Sequence, residues 1–176
     1  MSFLADVCRR WESAADPARA AGVRVVHPRL GVVLGAGGGM LGQLLLPFRL
    51  GLGGRLGTGG QWTSWISLDD AVAVLRFLLR EEIEGPVATV APEPVTNRRL
   101  TAVLAAAVHR PALLPVPAFA LRLLPGRMGE ELLLASVRVR PGVLAERGFS
   151  WALPTLEATL ERALGSESRG DSDDRR

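Results

Sequence analysis

The 176-residue chain contains no lysine, no tyrosine and a single cysteine, Cys8, so all 21 of its basic residues are arginines. Each absence removes a class of chemistry. Without lysine there is no Schiff base, no phosphate-loop ammonium and no cation to assist a phenol. Without tyrosine there is no phenolic general acid. A lone cysteine forms no internal disulfide, which fits a reducing, cytoplasmic compartment. The aromatic content is only 5% and the net charge only +3. The arginines are spread along the chain among acids, as on a solvated surface, so no nucleic-acid partner is expected. The two histidines, His27 and His109, lie far apart with no matched cysteine or acid, and no metal site is expected. The opening residues place acids early and have no apolar stretch after the arginines, so they do not read as a signal peptide.

What is present is a large apolar fraction, 48% of residues, enough for a folded core. "SFLADVCRRWESAA" reads as an amphipathic helix with Phe3, Leu4, Val7, Cys8 and Trp11 on one face. Val23 to Gly35 is rich in β-branched residues and reads as a strand bent at Pro28. "GGMLGQLLLPF" predicts a short helix stopped or kinked near Pro47, and "RLGLGGRLGTGG" a glycine-rich loop. "QWTSWIS" reads as one short strand. Ser67 to Asp70 has the form of a capping box opening a helix, "AVAVLRFLLREE", apolar on most sides and therefore expected to be largely buried. "GPVATVA" is a strand. Thr96 caps a helix whose Leu100, Val103, Leu104, Ala107 and Val108 form one stripe.

Beyond "PALLPVP" the character changes near Pro117. Short helical segments are expected at "AFALRLL", "GEELLLASVRV" and "PGVLAERG", then a last helix with Leu156, Leu160 and Leu164 at helical spacing. The expected organisation is an α/β part over residues 1–117, a small mostly helical domain over 118–164, and a disordered tail over 165–176.

Two readings of the glycine-rich centre are rejected. Leu30 to Phe48 carries no charge and approaches the length of a membrane span, but its glycines, Pro47 and strand-like first half argue against one, and no membrane association is expected. Gly37, Gly39 and Gly42 spell G-x-G-x-x-G, yet the glycine-rich loop that follows cannot be a central strand, and no acid occurs between Gly42 and Asp69 to hold a ribose. The glycines read as a turn with positive φ.

Three stretches together carry a family likeness: "RLGVVLGAGGGMLGQLLLPFRLGLGGRLGTGGQWTSWISLDD", "APEPVTN" and "RPALLPVPAFALRLLPG". They resemble the C-terminal half of the atypical extended short-chain dehydrogenases, the NAD(P)-dependent epimerase-like proteins with a short uncharacterised C-terminal domain. The likeness runs from about Phe3 to Leu164. It implies that the α/β part is an incomplete Rossmann-derived, substrate-side half. It also implies that the glycine fingerprint and the catalytic tyrosine belong to an N-terminal half outside this chain. NAD(P) is thus implied for the full-length family and no cofactor for this chain alone. Where relatives often have histidine before the acidic pair, this chain has Ser67, which still serves as a cap.

The same likeness places Arg29, with Leu30 and Gly31, at the strand end nearest the nicotinamide. Arg29 either orients an anion there or pairs internally with Asp69 or Asp70. Arg49 and Arg55 flank the glycine loop as candidates for a substrate phosphate or carboxylate, with solvation as the plainer alternative. Trp62 either stacks on a substrate or, with Trp65, anchors its strand. Asp70 reads as a capping carboxylate and Asn97 as a local hydrogen-bonding residue. No catalytic residue is assigned. The expected function is the substrate-side portion of an NAD(P)-dependent epimerase or oxidoreductase, without catalysis of its own. The rival reading is an interaction module whose bare sheet edge is covered by self-association or another protein. The partner is then either a separate N-terminal half or a second copy.

Overall fold

The computed structural model describes residues 3–112 and 136–173. It is an α/β fold. Helices α1 (Phe3–Ser13) and α2 (Asp16–Ala20) lead into strands β1 (Val26–Leu30) and β2 (Val32–Leu34), then α3 (Gly39–Arg49). Strands β3 (Trp62–Thr63) and β4 (Trp65–Ser67) run directly into α4 (Leu68–Arg80), followed by β5 (Gly85–Thr89), β6 (Val95–Thr96) and α5 (Asn97–Ala107). Helices α6 (Gly142–Glu146) and α7 (Leu156–Asp173) complete the described chain. β1 pairs with β5 in parallel, β2 with β4 in parallel, and β3 with β6 antiparallel.

Local chemistry sets the main elements. Ser67 caps α4, its Oγ accepting the Asp70 N–H at 3.0 Å, while Asp69 and Asp70 sit in the first turn and Arg80 in the last, in keeping with the helix dipole. Thr96 caps α5 through the Arg99 N–H at 3.3 Å. α3 runs through Pro47 to Arg49 rather than stopping before it. Buried Leu45 and Phe48 hold its last turn on the core, which outweighs the bond the proline removes.

The expected single strand "QWTSWIS" is two, because Ser64 breaks it and each half joins a different sheet. Adjacent residues of a strand face opposite ways. Trp65 therefore enters one core with Leu34, Leu41, Phe48, Leu104 and Leu160, and Ile66 enters a second with Val74, Leu78, Val87 and Leu144. α6 and α7 thus share both cores with the α/β part, and the Arg99–Glu157 ion pair also joins α5 to α7. The uncharged run from Leu30 to Phe48 is divided among β1, β2 and α3. Among the described residues no helix is long and apolar enough to cross a membrane.

Four expectations change. α4 buries Ala71, Val74 and Leu78 in the core with Ile66 and Val87, but Leu68, Val72, Leu75 and Leu79, which are not part of that core, are exposed. α1 forms, yet Val7, Cys8 and Trp11 are exposed, Trp11 at 80%. Residues 136–139, expected at the end of a helix, are instead extended, with the Val137 N–H bonded to the Trp62 carbonyl at 3.0 Å. α7 continues to Asp173, past the Leu164 end expected, because a helix nucleated by packed Leu156 and Leu160 propagates at little cost per residue. The segment "AFALRLL", the expected boundary near Pro117 and residues 174–176 lie outside the described residues.

Candidate functional site

A cavity of about 770 Å³ lies where the end of β1 meets β3 and the extended segment before α6. Arg29, Leu30 and Gly31 form one side, Trp62 to Ser64 another, and Val137, Val139 and Arg140 a third, over a floor that includes Ala88 and Val90. Three of its features follow from local structure. β1 passes into β2 through Gly31, where a Cβ would stand 2.7 Å from the Ser64 carbonyl and 2.9 Å from Val90 Cγ1, so any side chain there pushes the strands apart. Segment 136–139 is laced to β3: Ser136 Oγ accepts the Trp62 N–H at 3.1 Å, and Ser64 Oγ donates to Val137 O at 2.8 Å and accepts the Val139 N–H at 2.9 Å. Arg138 lies 4.3 Å from the centre of the Trp62 ring, a cation–π contact that holds the indole at the rim.

The charge of the lining is one-sided. Arg29 and Arg140 contribute to it and, among the described residues, no carboxylate does. Arg29 is partly committed elsewhere: its Nε and Nη2 each donate to Glu12 at 2.8 Å. This replaces the expected pairing with Asp69 or Asp70. Asp69 instead meets Arg162 at 3.2 Å, and Asp70 accepts the Ala152 and Leu153 N–H groups at 2.7 and 3.0 Å. Among the described residues the Arg140 guanidinium has no ion pair, so it is the cation available to a ligand.

The hydrogen bonds from Arg29 hold the Glu12 carboxyl below its ordinary value, and the same bonds raise Arg29. A carboxyl depressed in the folded state contributes stability above its unfolded pKa and loses it as pH falls through the folded one. The tie between α1 and β1 is therefore complete near neutrality and released in acid. Carbon-detected NMR titration of Glu12 should show the depressed value in the native chain and a return to the ordinary range in Arg29→Ala. An unchanged titration in the variant would mean that Arg29 is not its cause.

Of the residues singled out from sequence, Arg29, Leu30, Gly31 and Trp62 converge on this cleft, whereas Arg49 and Arg55 do not line it. Gly37, in the turn before α3, and Gly39, the first residue of α3, adopt φ of +73° and +60°, and among the described residues none from 35 to 42 lines the cleft. Asn97 acts at long range rather than locally, its Oδ1 accepting the Leu56 N–H at 2.8 Å and fixing the glycine loop against α5. His27 meets Arg19 at 3.2 Å, and the described residues hold no cluster suited to a metal. Arg138, Arg140 and Ser64 were not anticipated. The strict valine–arginine alternation from Val137 to Arg140 is a period of two, the signal of an extended segment that could have revealed them.

Residues 116–163 match a family model described as a domain of unknown function, DUF1731. The Epimerase family protein Mb2239 of Mycobacterium bovis is 43% identical over 159 residues, covering 90% of this chain and 53% of that protein. The fold matches the crystal structure of human epimerase family protein SDR39U1 (isoform 2) with NADPH, at a TM-score of 0.77 and 37% identity, over 81% of this chain and 49% of the human one. It also matches the nucleoside-diphosphate sugar epimerase from Corynebacterium glutamicum, at a TM-score of 0.75 and 33% identity, over 100% of this chain and 35% of that one. The chain spans about half the length of the curated relatives it matches. In sequence and in fold, the chain is similar to epimerase family proteins over about half of their length, consistent with the C-terminal half of an extended short-chain dehydrogenase.

Proposed function

We propose that this chain forms the substrate-side wall of an NAD(P)-dependent epimerase or oxidoreductase cleft and is not catalytic by itself. The observation that carries the reading is the cleft beside β1: apolar walls, Arg29 and Arg140 at its edge, and no carboxylate among its described lining residues. Such a lining favours a ligand with a phosphate or other anion on a flat, weakly polar body. An NAD(P) cofactor fits that description, and when bound it would supply the hydride chemistry. Arg140 would hold an anionic group, Gly31 would let the ligand approach the backbone, and Trp62, held by Arg138, would wall off solvent. No residue of this chain can act as the phenol that exchanges a proton with a sugar hydroxyl, since tyrosine and lysine are both missing. That group must come from another segment.

The test is a chimera in which this chain replaces the matching part of the Mycobacterium bovis relative. Calorimetry should show stoichiometric NADPH binding by the chimera and little or none by the 176-residue chain. Arg140→Ala in the chimera should weaken binding by about tenfold, the worth of one charge-assisted contact. Tight NADPH binding by the chain alone would refute the division of labour.

A further inference from the structure

β1 has a strand on one side only among the described residues. Its ladder with β5 fixes which backbone groups face the bare side. The Gly31 N–H bonds to the Thr89 carbonyl at 3.0 Å, and the Gly85 N–H to the Val25 carbonyl at 2.9 Å. With the parallel register Val26↔Gly85 to Leu30↔Thr89, the odd-numbered residues of β1 turn their groups toward β5. Val26, Pro28 and Leu30 therefore point theirs outward. Proline has no N–H, so this edge offers three carbonyls but only two donors.

Both faces beside this edge carry uncovered apolar groups. On the face of Val26 and Pro28, α4 leaves Leu75 and Leu79 exposed over a groove of about 290 Å³ lined also by Arg24 and Leu78. On the face of His27 and Arg29, α1 leaves Val7 and Trp11 exposed. A bare edge between two apolar faces suits a strand flanked by its own cover, and it is equally exposed to pairing with another copy of itself.

The ladder discriminates between these occupants. Two copies related by a two-fold axis pair antiparallel, so each brings a proline, and any register that includes residue 28 of both strands loses two donors. A two-fold centred on Pro28 sets each Pro28 carbonyl against the other copy's proline nitrogen, which has no hydrogen to donate. A parallel strand from a different segment meets the defect once. We propose that Pro28 makes β1 refuse a second copy of itself and leaves the edge to a single parallel strand of the nucleotide-side half. This rests on the cleft reading above for the identity of the occupant, but not for the refusal.

The experiment compares the native chain with Pro28→Val by size-exclusion chromatography with light scattering, and by amide exchange at Val26 and Leu30. Restoring two ladder donors should tighten self-association by about 30-fold and protect both amides in the variant, while they exchange freely in the native chain. In the chimera with Pro28 retained, both amides should be protected. Equal self-association by the two chains, or protected Val26 and Leu30 amides in the native chain alone, would overturn the refusal. Unprotected amides in the chimera would overturn the parallel-strand occupant. A chimera with protected amides that fails to bind NADPH would overturn the cleft reading alone.

Discussion

Replacing Trp65 by alanine is expected to lower folding stability by about 3–5 kcal/mol, whereas Trp62→Ala, three residues earlier, should cost only about 1–2 kcal/mol. The two indoles lie in one short stretch and differ in what surrounds them. Trp65 is 2% exposed, packs in the core with Leu34, Phe48 and Leu104, and donates its Nε1–H to the Glu93 carbonyl at 3.1 Å. Alanine there leaves a cavity bounded by β2, α3 and α5 and strands a carbonyl. Trp62 is half-buried at the rim of the cleft, and its main partner is the Arg138 guanidinium. Its loss should loosen segment 136–139 and reshape the cleft while the cores stay intact. Urea unfolding followed by the fluorescence of the remaining tryptophans measures both. Equal losses would show that Trp62 is a core residue and not part of the cleft wall.

A second large effect is expected at Asp70. Its carboxylate is 1% exposed and accepts from Ser67 Oγ at 2.8 Å and from the Ala152 and Leu153 N–H groups. It thereby joins the first turn of α4 to the link that leads into α7. Asp70→Ala leaves two backbone donors and a hydroxyl without a partner in a buried site, a loss of about 3–5 kcal/mol. Asp70→Asn keeps one acceptor oxygen and turns an NH₂ toward the remaining donors, so it should recover only part of the difference. Denaturation gives the stabilities. Amide exchange at Ala152 and Leu153 identifies the cause, since both should accelerate in the alanine variant and only one in the asparagine variant. An asparagine variant as stable as the native chain would mean that the charge and the second oxygen contribute nothing.

Local signals determined much of this protein. The caps of α4 and α5, the amphipathic α1, the strand nature of β1 and β5 and the turn at Gly37 depend on neighbours within a few residues, so they are readable in one dimension. The missing tyrosine and lysine likewise set the limits of the chemistry before any folding. The family likeness placed Arg29, Leu30 and Gly31 at one strand end; these three line the cleft, and Trp62, a separate candidate, lines it with them.

Tertiary structure decided the rest, because the deciding partners are remote in sequence. Arg29 pairs with Glu12 and not with Asp69 or Asp70, since β1 carries it to the α1 side of the sheet. Asp70 serves a segment more than eighty residues away, which makes a helix cap into a clamp. Arg140 becomes a cleft residue, and Arg138 the cation on Trp62, only because Ser64 and Trp62 hold their segment in place. The apolar sides of α1 and α4 were legible as apolar, but whether anything covers them is a property of three-dimensional neighbours. Hydrophobicity records what a surface would gain from burial, and only the fold shows which surfaces are left to gain it.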